Sequence, residues 1–186
     1  MNKKNYLKLN IKKLKRKLHS LLIEFAGRGI SIFSYIFPLF EISYYFGAKV
    51  FLSTDNPVLH ALYQETLSGV NLFYGDNSYL MFFIMIGIFM ACSRGTLKLT
   101  RYVRFNVIQA ILLSVICSCV GSIFALLPLW IRESALGLMM ANGFFLGILV
   151  LTIYASLLIL NGLYPSIPVI SEAARLQVFR GYLNDD

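Results

Sequence analysis

Arg101-Tyr-Val-Arg104-Phe-Asn106-Val-Ile-Gln109-Ala-Ile-Leu-Leu-Ser-Val-Ile-Cys-Ser-Cys-Val-Gly-Ser-Ile-Phe-Ala-Leu-Leu127 carries two fixed charges and two amides at its front and no charge behind them. The apolar run from Val103 to Leu127 exceeds the roughly 20 residues that cross a bilayer core. It reads as a membrane-spanning helix. Amides and charges in hydrocarbon are costly unless partnered, so Arg101, Arg104, Asn106 and Gln109 need an interfacial or a functional explanation.

The rest of the chain agrees with that class. Hydrophobic residues make up 58% and charged residues 14%, at a mean hydropathy of +0.69, where a soluble domain carries about a quarter charged residues. Three further apolar runs read as spans: Gly29 to Ala48, Asn77 to Cys92 and Gly137 to Leu160. The second is short and has room to begin earlier or to run toward Leu97; the third span is long enough to tilt. The expected fold is an all-α integral membrane protein of four transmembrane helices, with N-terminal, inter-helix and C-terminal interfacial helices. Its expected organisation is a basic amphipathic segment over residues 1–28, a four-helix domain over 29–160 and a tail over 161–186.

Charge orients the bundle. Lys3, Lys4, Lys8, Lys12, Lys13, Lys15, Arg16 and Lys17 supply the whole net charge of +8, because the other nine basic residues balance the nine acidic ones. Lys and Arg are retained on the side from which a membrane protein inserts. The N-terminal segment with Arg28, the loop holding Arg94, Lys98, Arg101 and Arg104, and the tail with Arg175 and Arg180 lie on one side; Lys49 and Arg132 lie on the other. Both termini are therefore expected on the cytoplasmic face or its organellar equivalent.

The basic front is followed by a full span rather than a short apolar core and cleavage site, and it leans on Lys and Asn. It is expected to be mature sequence. Leu7, Ile11, Leu14, Leu18, Leu21 and Leu22 recur at helical spacing, which suits either an amphipathic helix on an anionic lipid surface or a solvated positive anchor.

Chemical signatures are missing. Cys92, Cys117 and Cys119 lie inside apolar runs without a Cys-x-x-Cys pair and are expected as packed, reduced thiols. His19 and His60 are the two histidines, and no metalloprotease, nucleophile-elbow or phosphate-loop pattern occurs. No enzymatic activity, metal, cofactor or nucleic-acid partner is expected.

Packing signals are clearer. Ser114, Ser118 and Ser122 share one face of the third span, Gly143 and Gly147 form a Gly-xxx-Gly pair on the fourth, and Gly87 with Ala91 adds a weaker pair. Such faces let helices approach closely, inside the bundle or between copies in a homo-oligomer. In the first span Pro38 predicts a kink, and Glu41 follows it within a turn. At about 1.5 Å per residue Glu41 lies roughly 18 Å from Gly29, and Gln109 about 9 Å from the start of the third span. A direct pair between Glu41 and Arg104 is not expected; Glu41 faces a polar cavity or the outer interface, with Ser34 and Tyr45 on about the same face. In the outer loop, Asp55 or Asn56 caps a short helix with Pro57 at its first position. After the fourth span, Pro165 and Pro168 stop the helix and Ser171 is positioned to cap a final one.

Three blocks carry a resemblance. Arg101 to Leu113, Pro38-Leu-Phe-Glu41-Ile-Ser-Tyr44-Tyr-Phe-Gly47, and Pro165-Ser-Ile-Pro168-Val-Ile-Ser171-Glu-Ala-Ala together resemble the Tic-twenty (Tic20) family, the small polytopic subunit of the chloroplast inner-envelope import translocon and its cyanobacterial relatives. The resemblance covers Ile30 to about Gln177. It departs from the family at Ser114, where an acidic residue is common, and in its Lys-rich front, which replaces a cleavable presequence. The resemblance implies a plastid-encoded or cyanobacterial-type member in the plastid inner envelope, multi-pass, with both termini stromal. It implies partnership with other translocon subunits and transiting precursor polypeptides, as a channel-forming or channel-lining component. Arg101, Arg104, Asn106, Gln109 and Glu41 are then the candidate path or interface residues, with Asn106 and Gln109 on one face by their spacing. A small-solute or ion carrier using Glu41 and a structural scaffold are the alternatives.

Overall fold

The computed structural model describes residues 3–53 and 56–179, and the described residues form helices and connecting turns without a strand. Helix α1, Lys3–Ser34, passes from the basic segment into the first apolar run without a break. The described side chains from Leu14 to Phe25 are exposed, so this part of α1 extends beyond the bundle. Leu7 and Ile11 lie outside the described side chains.

The kink expected from Pro38 appears as a break at Tyr35. Proline has no N–H to give the carbonyl four residues before it, which is that of Ser34. The chain adapts locally: the Tyr35 N–H reaches the Ile32 carbonyl at 3.0 Å, and the Ser34 hydroxyl turns back onto the Ser31 carbonyl at 2.7 Å. Helix α2 (Ile36–Ile42), a π-helical turn (Ser43–Gly47) and α3 (Ala48–Leu52) complete the span.

Asn56 caps α4 (Pro57–Leu62) with its side-chain oxygen on the Val58 N–H at 3.0 Å, and Pro57 fills the first helical position. Asp55 lies outside the described residues. The segment between the first and second apolar runs holds more helix than the single short element expected there. A second π-helical turn (Tyr63–Leu67) leads into α5 (Ser68–Asp76), and α6 (Ser78–Arg94) follows at an angle of 79°. Helix α6 has 17 residues, about 26 Å, and ends at Gly95 with φ 69° rather than running on to Leu97.

Helices α7 (Arg101–Leu126), α8 (Leu129–Arg132), α9 (Ala135–Leu160) and α10 (Ile170–Phe179) follow. Among the described residues three segments are long and apolar enough to cross a membrane: Ser20–Leu52, Arg101–Leu126 and Ala135–Leu160. The bent pair Pro57–Asp76 and Ser78–Arg94 makes a fourth when taken as one span.

Helix α7 is the axis of the bundle. Its apolar window is 56% buried, against 17% for α9, because α1, α2, α6 and α10 close around it. One core joins Met85 and Cys92 of α6 to Val103, Phe105 and Ile108 of α7 and to Ala174 and Val178 of α10. A second joins Tyr35, Ala110 and Leu113 to Ala155, Ile159 and Ile170. A third joins Ile42 and Phe46 to Phe124 and Ala141. Helix α10 is thus a packed element of the end of the bundle that also carries Arg28, Arg101 and Arg104.

The small residues divide. At Gly121 the ring of Tyr45 lies so close that an added Cβ would stand 2.2 Å from its Cγ. At Gly87, Gly143 and Gly147 a Cβ would meet nothing, so the Gly-xxx-Gly pair faces outward and does not close the bundle. Cys92 and Cys117 are buried free thiols, whereas Cys119 is exposed on the helix surface rather than packed.

Candidate functional site

Two arginines at the α10 end of the bundle close two helix termini. The last carbonyls of a helix have no partner within it and carry partial negative charge. Arg104 donates from Nε to the Cys92 carbonyl at 2.6 Å and from Nη2 to the Ser93 carbonyl at 3.0 Å, covering the end of α6. Arg28 donates from Nη1 to the Leu160 carbonyl at 2.9 Å, covering the end of α9. Beneath each guanidinium lies a left-handed glycine, Gly95 at φ 69° and Gly162 at φ 73°. An added Cβ would stand 3.2 Å from Arg104 Nη1 in the first and 2.9 Å from Arg28 Nη2 in the second. Sequence reasoning counted Arg28 only as a topological charge; the glycine just past each apolar run was the available signal of a C-cap. Arg101 is exposed in the first turn of α7, whose start is capped by the Thr100 hydroxyl on the Val103 N–H at 3.3 Å.

The two amides of α7 are fully buried and serve different neighbours. Asn106 donates from Nδ2 to the Tyr102 carbonyl at 2.9 Å and lies 3.5 Å from the Ser31 hydroxyl of α1. Gln109 donates from Nε2 to the Ser171 hydroxyl oxygen of α10 at 3.1 Å. Their side-chain oxygens are buried without a hydrogen-bond partner among the described residues. Ser171 is not the cap expected of it. It sits one residue inside α10, where its oxygen accepts the Ile167 N–H at 2.7 Å and its hydroxyl donates to the Pro165 carbonyl at 3.2 Å. The proline-rich turn is therefore pinned to α10, and α10 to α7.

Glu41 occupies a second polar cluster, away from the arginines. It is 5% exposed and accepts a hydrogen bond from the Tyr74 hydroxyl of α5. The rings of Phe40 and Tyr44 flank Tyr74 at 6.1 and 5.8 Å. One turn on, Asn71 donates to the Ser43 carbonyl at 3.1 Å, at the start of the π-helical turn. Such turns widen the helix and leave carbonyls open to outside donors. Tyr45 and Ser122 of α7 bond hydroxyl to hydroxyl at 3.0 Å. Ser34, expected near Glu41, spends its hydroxyl on α1. The five candidates are thus divided into an exposed Arg101, a capping Arg104, two buried amide ties and a carboxylate held by α5.

The sequence profile of the family described as "Chloroplast import apparatus Tic20-like" matches residues 10–174. This chain belongs to the Tic20 family. It is 36% identical over 154 residues to the Tic20 family protein Ycf60 of Porphyra purpurea, covering 81% of this chain and 75% of that one. It is 32% identical over 151 residues to Ycf60 of Cyanidium caldarium, covering 81% and 73%. It is 31% identical over 153 residues to the Tic20 family protein of Synechocystis sp., covering 81% and 92%. No solved structure matches the chain.

Ser114, which stands where the Tic20 family commonly has an acidic residue, is completely buried with its hydroxyl 3.4 Å from the Met85 sulfur. The small serine suits the close approach of α6 and α7.

Proposed function

We propose that this Tic20 family protein is a subunit of the protein-conducting translocon of the plastid inner envelope and forms one wall of a path shared with other subunits or copies. The observation that carries the reading is the sealed interior of the bundle. From Val103 to Leu113 every α7 side chain but those of Arg104 and Leu112 is buried, whereas even a single helix in transit needs a passage about 10–12 Å wide. A path therefore runs along an outer face of this subunit. In this reading Arg101 borders the stromal mouth, while Arg104, Asn106 and Gln109 hold the wall in shape, and both termini face the stroma with α10. The partners are other inner-envelope subunits and the precursor polypeptide in transit, and the basic segment of α1 lies against anionic lipid.

The test is site-specific photo-crosslinking during arrested import. Probes placed at Arg101, at Phe83 of α6 and at Leu146 of α9 are expected to capture precursor from at least one outward position, and a probe at buried Ile108 is expected to capture none. Absence of precursor from every outward position sinks the reading.

The broken first span beside a buried carboxylate favours one other reading, a small-solute or ion carrier built on Glu41. Its test is the flux measurement on Glu41→Gln described below.

A further inference from the structure

The end of the bundle opposite the arginine caps holds a cavity of about 490 Å³ between the first span, the end of α7 and the start of α9, within the roughly 300–1,000 Å³ range of ligand sites. Its apolar side is made by Leu52, Phe124 and Leu138, and its polar side by Lys49, Arg132 and Glu133. Of the chain's 17 Lys and Arg, Lys49 and Arg132 are the two in the segments at this end. Basic residues are disfavoured on the translocated side of a membrane protein, yet both meet in one cavity.

Their charges are not matched within it. Lys49 donates from Nζ to Glu133 Oε1 at 3.1 Å, but its side chain is 19% exposed and that of Glu133 69%. The ammonium also lies 6.0 Å from the centre of the Phe124 ring. The anion reaches in from solvent toward a cation fixed in the wall. The Arg132 Nε is buried and has no hydrogen-bond partner among the described residues. A buried donor on a permanent cation is costly unless an acceptor fills the space beside it. The cavity therefore carries one net positive charge and an unused guanidinium donor.

The depth is set by α8. Trp130, two residues before Arg132, is 75% exposed, and Leu126 and Leu129 are exposed beside it. Exposed tryptophan beside aliphatic side chains belongs at the boundary between headgroups and hydrocarbon. We infer that the cavity binds the oxyanion headgroup of an anionic membrane lipid, with Arg132 and Lys49 on the phosphate or sulfonate oxygens and an acyl chain along Leu52, Phe124 and Leu138. A free oxyanion offers the same acceptors, but the apolar side and the boundary depth select one carried on acyl chains.

Trp130 is the single tryptophan of the chain and reports on the site directly. The full-length protein is reconstituted in phosphatidylcholine vesicles containing an equal small fraction of either phosphatidylglycerol or phosphatidylcholine brominated near the headgroup. Quenching of Trp130 is expected to be several-fold stronger with the anionic lipid. Arg132→Gln and Lys49→Gln bring the two lipids together, while Arg132→Lys and the distant Arg94→Gln keep the difference. Millimolar phosphate, against chloride of equal ionic strength, leaves the difference intact. Equal quenching in the wild type overturns the inference. So does an undiminished difference in both neutralised variants, which assigns the preference to groups outside the cavity. Loss of the difference in phosphate also overturns it, in favour of a soluble oxyanion. Circular dichroism confirms the fold of each variant; if Arg132→Gln does not fold, Lys49→Gln and the phosphate arm decide.

Discussion

The Arg104 side chain reaches back over twelve residues to the Cys92 carbonyl at 2.6 Å, so the helix that carries the arginine closes the helix that precedes it. Arg104→Gln is expected to lower unfolding free energy by about 1–3 kcal/mol, the range for hydrogen bonds to a charged group. Arg104→Lys recovers less than half of the loss, because a point charge cannot serve Cys92 and Ser93 in a planar fork. Equilibrium denaturation in mixed micelles measures both. Arg28→Gln acts on a different helix end, and the double variant is expected to be additive.

Gly95 and Gly162 adopt positive φ beneath these guanidinium groups. Gly95→Ala and Gly162→Ala are each expected to cost about 1–2 kcal/mol from the left-handed backbone alone, with more from displacing the arginine. Gly143→Ala, on an open face, leaves the stability of the isolated chain within about 0.5 kcal/mol. Thermal melts of the three variants in one detergent provide the comparison; equal losses at all three would contradict the caps.

Glu41 and Tyr74 lie 33 residues apart and meet in the interior. Tyr74→Phe leaves a buried carboxylate without its donor and is expected to destabilise by about 3 kcal/mol, whereas Glu41→Gln keeps an acceptor for the hydroxyl and costs less than half as much. Denaturation gives the ranking. Vesicle flux assays give the function: unchanged solute and ion flux in Glu41→Gln is expected of a translocon wall, and its loss is expected of a carrier.

The Ser171 hydroxyl joins Gln109, Ile167 and Pro165. Ser171→Ala strands the Ile167 N–H and is expected to speed hydrogen exchange over residues 165–178 about ten-fold, a local loss of about 1.4 kcal/mol. Gln109→Leu removes an amide whose oxygen is already unpartnered and is expected to change that exchange far less.

What was legible in the sequence were the features that depend on neighbours in the chain. The apolar runs from Gly29, Val103 and Gly137 correspond to the three described segments long and apolar enough to cross a membrane, the run from Asn77 to the second half of the bent pair, and the Asn56–Pro57 helix start follows from side-chain chemistry two residues long. The separation of Arg104 from Glu41 followed from rise per residue. Longer-range matches were not legible. Nothing local to Glu41 announces Tyr74, because α5 must first fold against the first span. The spacing of Asn106 and Gln109 gave their side of the helix but not that α1 meets the first and α10 the second. The kink expected from Pro38 falls three residues before it, since the missing hydrogen bond acts on the carbonyl behind the proline.

Helix α1 has no interruption from Lys3 to Ser34, so it forms a strut of about 48 Å whose first bend is at Tyr35. A stiff rod does not absorb a sideways push at its free end. A force on the charged end is therefore levered against the point where α1 enters the bundle, at the Arg28 contact with the Leu160 carbonyl that closes α9.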